Sequence, residues 1–254
     1  MIKFFRRIRQ RLLSENKFSK YLLYAIGEIV LVVIGILIAL SINNWNEDRK
    51  NKLAEAEYYC RILDDYEINK KLVNEAIEST TEKIKICKTL IADLNQIPNN
   101  KSDILNDFPN AIRQNVFVPS NITLEDLTSS GNLKLLTDIQ LKNSVIEYNS
   151  SLKNTLDLLS ENRNEINKRV INFELSTEFG IQEFDYLKKE LGEEIIDLLP
   201  NTNWTNDVNN PIYIKFQDNL VFLVAMYIRQ KQHLSKLKME MEKPLSFLKN
   251  KKCK

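Results

Sequence analysis

The chain has 254 residues with a formal net charge of +2, and it contains only 5 Gly, 6 Pro, 3 Cys and 1 His. So few breakers favour long helices over a strand-and-turn architecture, and they exclude the glycine-rich loops that cradle phosphates. His233, the single histidine, leaves a histidine metal site or a serine–histidine triad almost nothing to work with, and three cysteines (Cys60, Cys87, Cys253) without short spacing argue against a zinc site or a disulfide framework.

The near-neutral total hides three blocks. Residues 1–20 carry seven Lys/Arg against Glu15 alone, residues 51–228 are acidic, and the stretch from Arg229 onward holds nine Lys/Arg against Glu240 and Glu242. Such segregation predicts surfaces with different neighbours and argues against a nucleic-acid-binding domain. The first block reads as a basic cytoplasmic arm.

The next segment, residues 21–42, runs YLLYAIGEIVLVVIGILIALSI with one charge, Glu28. A helix of that length rises about 33 Å, enough to cross a hydrocarbon core of about 30 Å. Tyr21 and Tyr24 at one end and Trp45 at the other are the predicted interfacial anchors. With Lys/Arg crowded before the span, the positive-inside rule puts the N-terminus in the cytoplasm and the bulk in the periplasm, on the far side of the inner (cytoplasmic) membrane. A cleaved signal peptide is the rival reading, with Ala39 and Ser41 as small residues at a cleavage site. The long basic region and the length of the apolar core oppose it.

The stretch Met1–Glu47, including YAIGEIVLVVIGILIAL, resembles the hallmark of a family of uncharacterised bacterial single-pass membrane proteins, and Leu127-Thr-Ser-Ser-Gly-Asn-Leu133 resembles a second feature of it. The resemblance implies an N-terminal anchor followed by a helical extramembrane region. It implies no activity.

Glu28 is the one ionisable residue in the span. Either it sits in the headgroup zone, with the span effectively beginning near Ile29, or it pairs with a partner helix that Gly27 and Gly35 allow to approach closely.

Beyond the span, residues 43–250 are expected to form an extracytoplasmic helical domain. Residues 46–97 lack Gly and Pro and predict one long helix, with a heptad seam through Tyr59, Leu63, Tyr66, Val73, Ile77, Ile84, Cys87, Ile91 and Leu94, Lys70 and Thr80 filling its gaps. Along a straight helix Cys60 and Cys87 stand about 40 Å apart and cannot bond. Residues 98–120, with Pro98, Pro109 and Pro119, read as a loop. Thr123 opens a short helix that stops at Ser129-Ser130-Gly131. Thr137 opens a helix over 138–179, with Gly180 as its C-cap and a seam from Leu141 to Phe173. Residues 181–210 hold short helices and a polar loop. Asn210-Pro211 then starts a helix over 211–243, with a seam through Phe216, Leu220, Leu223, Tyr227, Leu234, Leu237 and Met241.

The fold class is therefore all-α: an N-terminal transmembrane helix followed by an antiparallel helical bundle with long coiled-coil-like helices, the segment 121–136 adding a layer. The acids Asp64-Asp65, Glu174 with Glu178, and Glu193-Glu194 read as solvated helix faces, because a dinuclear site wants Glu-x-x-His repeats that this chain lacks. Trp204 reads as a loop anchor packed on the bundle, with a binding aromatic as the alternative. No enzyme activity, cofactor or metal is expected.

Two functions stay open. The first is a membrane-tethered interaction or scaffold protein, touching lipid and either a protein partner or a second copy through its helical seams. The second is a ligand- or signal-sensing bundle, against which the shortness of the basic arm weighs. A hydrolase or transferase using residues 98–136 is weaker than either. The basic tail from Lys249 onward is expected either to meet an anionic surface or to fray in solvent.

Overall fold

The computed structural model describes residues 18–251 and Cys253 except Glu174, with all their side chains but those of Phe18, Lys20, Tyr21 and Ile171. The basic arm up to Lys17, the Tyr21 side chain and Glu174 thus lie outside the described residues. The regular structure is all helical. The chain divides into two units, Met1–Glu57 and Tyr58–Lys254, and α1 (Phe18–Leu94) begins in the first and continues in the second.

The described part of the first unit is helix alone. Its apolar side chains are solvent-facing, from Leu22 at 46 % exposure to Leu23 at 72 %. By length and composition this is a helix able to cross a membrane, and its apolar window is not buried by any of the described residues.

The second unit holds the rest of α1 together with α2 (Lys101–Ile112), α3 (Ile122–Ser129), α4 (Ile139–Asn172), α5 (Asp185–Leu191), α6 (Glu193–Ile196) and α7 (Pro211–Lys249). Cross-helix bonds set the directions. Along α1, Lys70 meets Glu242 at 2.7 Å, Thr80 meets Gln230 at 3.1 Å, and the Leu94 carbonyl accepts from Tyr213 at 3.3 Å, so α7 runs antiparallel to α1. Glu147 with Lys243 and Asn219 with Arg169 make α7 antiparallel to α4 as well.

Two apolar cores fill this unit. The distal one joins Cys87, Leu90 and Leu94 of α1 to Phe108, Phe173, Phe179, Trp204 and Phe216. The proximal one joins Tyr59, Ile62, Tyr66 and Val73 to Leu127, Tyr148 and Met241. Leu124 and Leu127 bring α3 into the proximal core as the additional layer. The whole expected seam of α7, from Phe216 to Met241, is buried, as are Leu141, Val145, Tyr148, Leu152, Leu159 and Ile166 of α4 and Phe173 just after it. Asn210 caps α7 by accepting from the Ile212 amide at 2.9 Å, with Pro211 in the first turn.

Several expectations are corrected. The α1 seam keeps Tyr59, Tyr66, Val73, Thr80, Cys87 and Leu94, but its alternate positions are Ile62, Asn69, Lys83 and Leu90 rather than Leu63, Lys70, Ile84 and Ile91. One row of the seam shifts by one residue while the other stays, which turns the centre of the buried stripe by about 50° of helix. Partners explain the choice: Asn69 and Lys83 carry hydrogen bonds to the returning chain, while Leu63, Ile77, Ile84 and Ile91 pack on the flank.

The predicted loop 98–120 contains α2, capped by Asn100, whose side chain accepts from the Ser102 amide. Pro109 sits inside it, and burial of Ile104, Leu105, Phe108 and Ala111 on one face outweighs its breaking tendency. Helix α4 stops at Asn172 instead of near Phe179, because Phe173 and Phe179 turn into one cluster with ring centroids 5.0 Å apart. Six residues of straight helix would separate them by about 9 Å along the axis. Gly180, at φ +101°, belongs to this turn; a side chain there would meet Glu183 at 2.9 Å. Helix α7 runs on past residue 243, because Pro244, Leu245 and Leu248 add to its buried face.

The expectation that Cys60 and Cys87 do not bond holds, but the expectation of no disulfide is overturned. Cys60 of α1 is bonded to Cys253, with Cα atoms 5.4 Å apart, and Cys87 is free and buried. Pairing across 193 residues has no local signature. The tail is stapled to the bundle and does not fray at Cys253.

Candidate functional site: a polar waist

Between the two cores the bundle is held by polar side chains. On α1 the inward positions are Ala76, Thr80 and Lys83; α4 supplies the buried Thr155 and Asn162, and α7 supplies Gln230. Each buried polar group seeks a partner. Thr80 bonds the Ala76 carbonyl at 2.7 Å and receives Gln230 at 3.1 Å, and Asn162 donates to the Met226 carbonyl at 3.1 Å. Lys83, 8 % exposed, donates to the carbonyls of Asn110 at 3.4 Å and of Arg113. Its ammonium thus terminates α2, supplying a donor to carbonyls at the end of that helix.

Burial pushes the Lys83 pKa down; the nearby Cys87 opposes this and Arg113 adds to it. Burial likewise pushes the Cys87 thiol up to about 11, against the pull of Lys83. Cys87 therefore stays a protonated thiol at neutral pH and is a poor nucleophile. The Tyr227 hydroxyl, raised by burial and pulled back by a bond from Gln114, donates to the Ala111 carbonyl at 2.6 Å.

After α2 an extended strap, residues 113–121, crosses the waist. Asn69 grips it at both backbone groups of Ser120, donating to the carbonyl and accepting from the amide, each at 2.7 Å. Asp65 accepts from the Ser120 hydroxyl at 2.6 Å and from the Thr123 amide at 3.0 Å, which completes the first turn of α3 in place of a side-chain cap from Asn121. Asn115 donates to Ser79 at 2.6 Å. Under the strap lies a cleft of about 230 Å³ between α1, α4 and α7. Arg163, Ser160 and Leu156 of α4 line one wall, Ala76 and Lys83 of α1 another, and Phe117 of the strap a third.

A second polar cluster closes the proximal end. Lys251 bonds Asp138 at 2.9 Å and lies 4.8 Å from the centre of the Tyr59 ring. Asp138 also accepts from the Leu141 amide at 3.1 Å and so caps the first turn of α4. The Lys251 hydrogen bond, then the Leu141 amide, hold the Asp138 carboxyl below its usual range.

The residues singled out from the sequence lie elsewhere. Tyr24 and Glu28 are half-buried, Gly27 and Gly35 have open space where a side chain would stand, and Trp45 is 66 % exposed, all in the first unit. Asp64, Glu178, Glu193 and Glu194 are solvent-facing and His233 is half-buried on α7. Trp204 is a packed anchor: it is 1 % exposed and its indole donates to the Phe179 carbonyl at 2.7 Å. Among the described residues no group of three or more His, Cys, Asp or Glu is placed to hold a metal ion. Sequence reasoning passed over Asn69, Lys83 and Arg163. For Asn69 and Lys83 the available signal was a polar residue at a regular heptad position; Arg163 lies off the α4 seam and carried none.

An all-α chain with an exposed apolar N-terminal helix and a stapled three-helix bundle is the class these features define. Residues 28–142 match the model of a family of unknown function (DUF6090). That match begins at Glu28 within the apolar run, takes in α1 from there on, α2, the strap and α3, and ends at the start of α4. No curated protein and no solved structure matches the chain.

Proposed function

We propose that the protein is a membrane-tethered interaction or scaffold protein. Its N-terminal arm lies in the cytoplasm, residues 21–42 cross the inner membrane, and the helical domain stands in the periplasm. The observation that carries this reading is the Cys60–Cys253 bond. Protein disulfides persist in oxidising compartments and are rare in the cytosol. Both cysteines follow the apolar helix, so the bond supports the same topology as the excess of Lys/Arg before it. These two signals have independent physical origins.

The partner in this reading is a protein or a second copy, with lipid around the span. No catalytic role is proposed: at the waist Lys83 is engaged by two carbonyls and Cys87 is held as a thiol. The strapped cleft favours a second reading, a ligand-sensing bundle.

A fusion of alkaline phosphatase to the C-terminus of the full chain is expected to be active, and a cytoplasmic reporter at the same place silent. Mapping without reductant is expected to recover Cys60 joined to Cys253. A working cytoplasmic reporter together with free Cys60 and Cys253 reverses the topology.

A further inference from the structure

The waist cleft has one cation to spare. In the neighbouring open groove of about 700 Å³ the lining cations are matched: Lys243 meets Glu147 at 3.1 Å and Lys236 meets Glu240 at 3.7 Å. Arg229 likewise meets Glu161 at 3.6 Å. By contrast, among the described residues Arg163 has neither an ion pair nor a hydrogen bond, although it is half-buried on the cleft wall. Glu75, the one acid on that lining, is exposed and pairs outward with Lys71 at 3.9 Å. The lining therefore carries two cations, Lys83 and Arg163, against one acid.

Ser160 lies one helical turn before Arg163, so both face the cleft from the same side of α4. The remaining lining is mixed: Leu156, Leu159 and Phe117 form an apolar patch beside the polar Thr80, Gln114 and Gln230. A free guanidinium offers two parallel N–H donors, which suit a planar carboxylate. A volume of 230 Å³ holds roughly eight water-sized groups at about 30 Å³ each, fewer atoms than a drug-sized ligand has.

We infer that the waist cleft binds a small aliphatic monocarboxylate, its carboxylate seated on Arg163 and Ser160 and its short tail against Leu156, Leu159 and Phe117. This deepens the ligand-sensing reading and does not depend on membrane topology. The strap forms one wall, so a bound acid touches the segment that Asp65 and Asn69 hold in place. Occupancy is thereby coupled to the grip on the strap.

The test uses the full chain in phosphatidylcholine nanodiscs, labelled with ¹⁵N-arginine and titrated with hexanoate. The Arg163 side-chain Nε signal is expected to shift saturably, with a Kd of about 1 mM for so small a ligand. Arg163→Gln is expected to weaken hexanoate binding at least about tenfold, read from ¹³C-carboxylate line broadening. Ala76→Leu fills the cleft without changing charge. It is expected to lose binding while the melting temperature holds or rises. Lys168→Gln, a solvent-facing change on the same helix, is expected to bind as the parent does. Inorganic phosphate is run in parallel and is expected to leave Arg163 unmoved. An unshifted Arg163 signal, or undiminished binding in either Arg163→Gln or Ala76→Leu, overturns the inference. Phosphate displacing hexanoate at Arg163 overturns the monocarboxylate assignment and leaves the ligand-sensing reading standing.

Discussion

The two ends of the bundle are closed by different means. At the distal end Phe108, Phe173, Phe179, Phe216 and Trp204 form a connected aromatic cluster, with Trp204 stacked on Phe179 at 5.2 Å and edge-on to Phe216 at the same distance. The chain from Phe173 to Asn210 wraps this cluster in short turns, and Asn99 ties it back to α1 by bonding the Thr205 and Leu94 carbonyls. At the proximal end the core has fewer rings and is more aliphatic, and the Cys60–Cys253 bond together with the Lys251–Asp138 pair stands in for the wrapping loops. Where enough aromatic surface converges, burial alone closes a helix bundle. Where a helix end has only a short polar tail to cover it, a cross-link does the work by restricting the unfolded chain.

That contrast is most sharply broken by Phe216→Ala. The side chain is fully buried and touches several rings, so the expected loss is about 3–5 kcal/mol, read as a lowered midpoint in urea unfolding followed by circular dichroism. Next comes Cys253→Ser, expected to cost about 2–4 kcal/mol. Reductant should lower the melting temperature of the parent chain to that of the variant and leave the variant itself unmoved. Equal melting curves with and without reductant would remove the staple from the account of the proximal end.

Asn69→Ala comes third, at about 1–3 kcal/mol, since it strips both backbone partners from the strap at Ser120. Hydrogen exchange should then quicken at Ser120 and Thr123 before it quickens in either core.

Lys83→Met sharpens the comparison at the waist. It leaves two carbonyls unpaired and is expected to destabilise by about 1–3 kcal/mol at neutral pH. The pH dependence adds a sign. The folded pKa of Lys83 lies below its unfolded value of about 10.4. Between the two the unfolded chain holds the extra proton, so the fold gains stability as pH rises through that window. The parent chain should therefore gain on Lys83→Met with rising alkalinity.

The smallest effect belongs to Asp138→Asn. The folded carboxyl titrates below its unfolded value of about 3.9, so its contribution is present above that value and lost as pH falls through the folded pKa. The acid limb of the parent's stability curve should be steeper than the variant's.

Some of this protein is legible from residues alone. The apolar run through Ile42, the Asn210-Pro211 start of α7, and the heptad faces of α4 and α7 depend on contacts within a few residues, and composition and period reveal them. The all-α class follows from the same local evidence. Other features required the folded chain. Helix α1 has apolar or tolerant residues on both sides of its shared heptad positions, so period does not choose between Leu63 and Ile62 or between Ile84 and Lys83. The strap decides by offering carbonyls to Lys83 and a backbone pair to Asn69. Pro98 does stand in the break between α1 and α2, but Pro109 reads as a breaker until the buried face of α2 is set against its neighbours. Cys60 and Cys253 acquire a relation only when the antiparallel return of α7 brings the tail beside the proximal part of α1. Local free energies are encoded in sequence neighbours. The rotation of a helix, the survival of a proline in it and the pairing of distant thiols are set by partners that only the tertiary structure supplies.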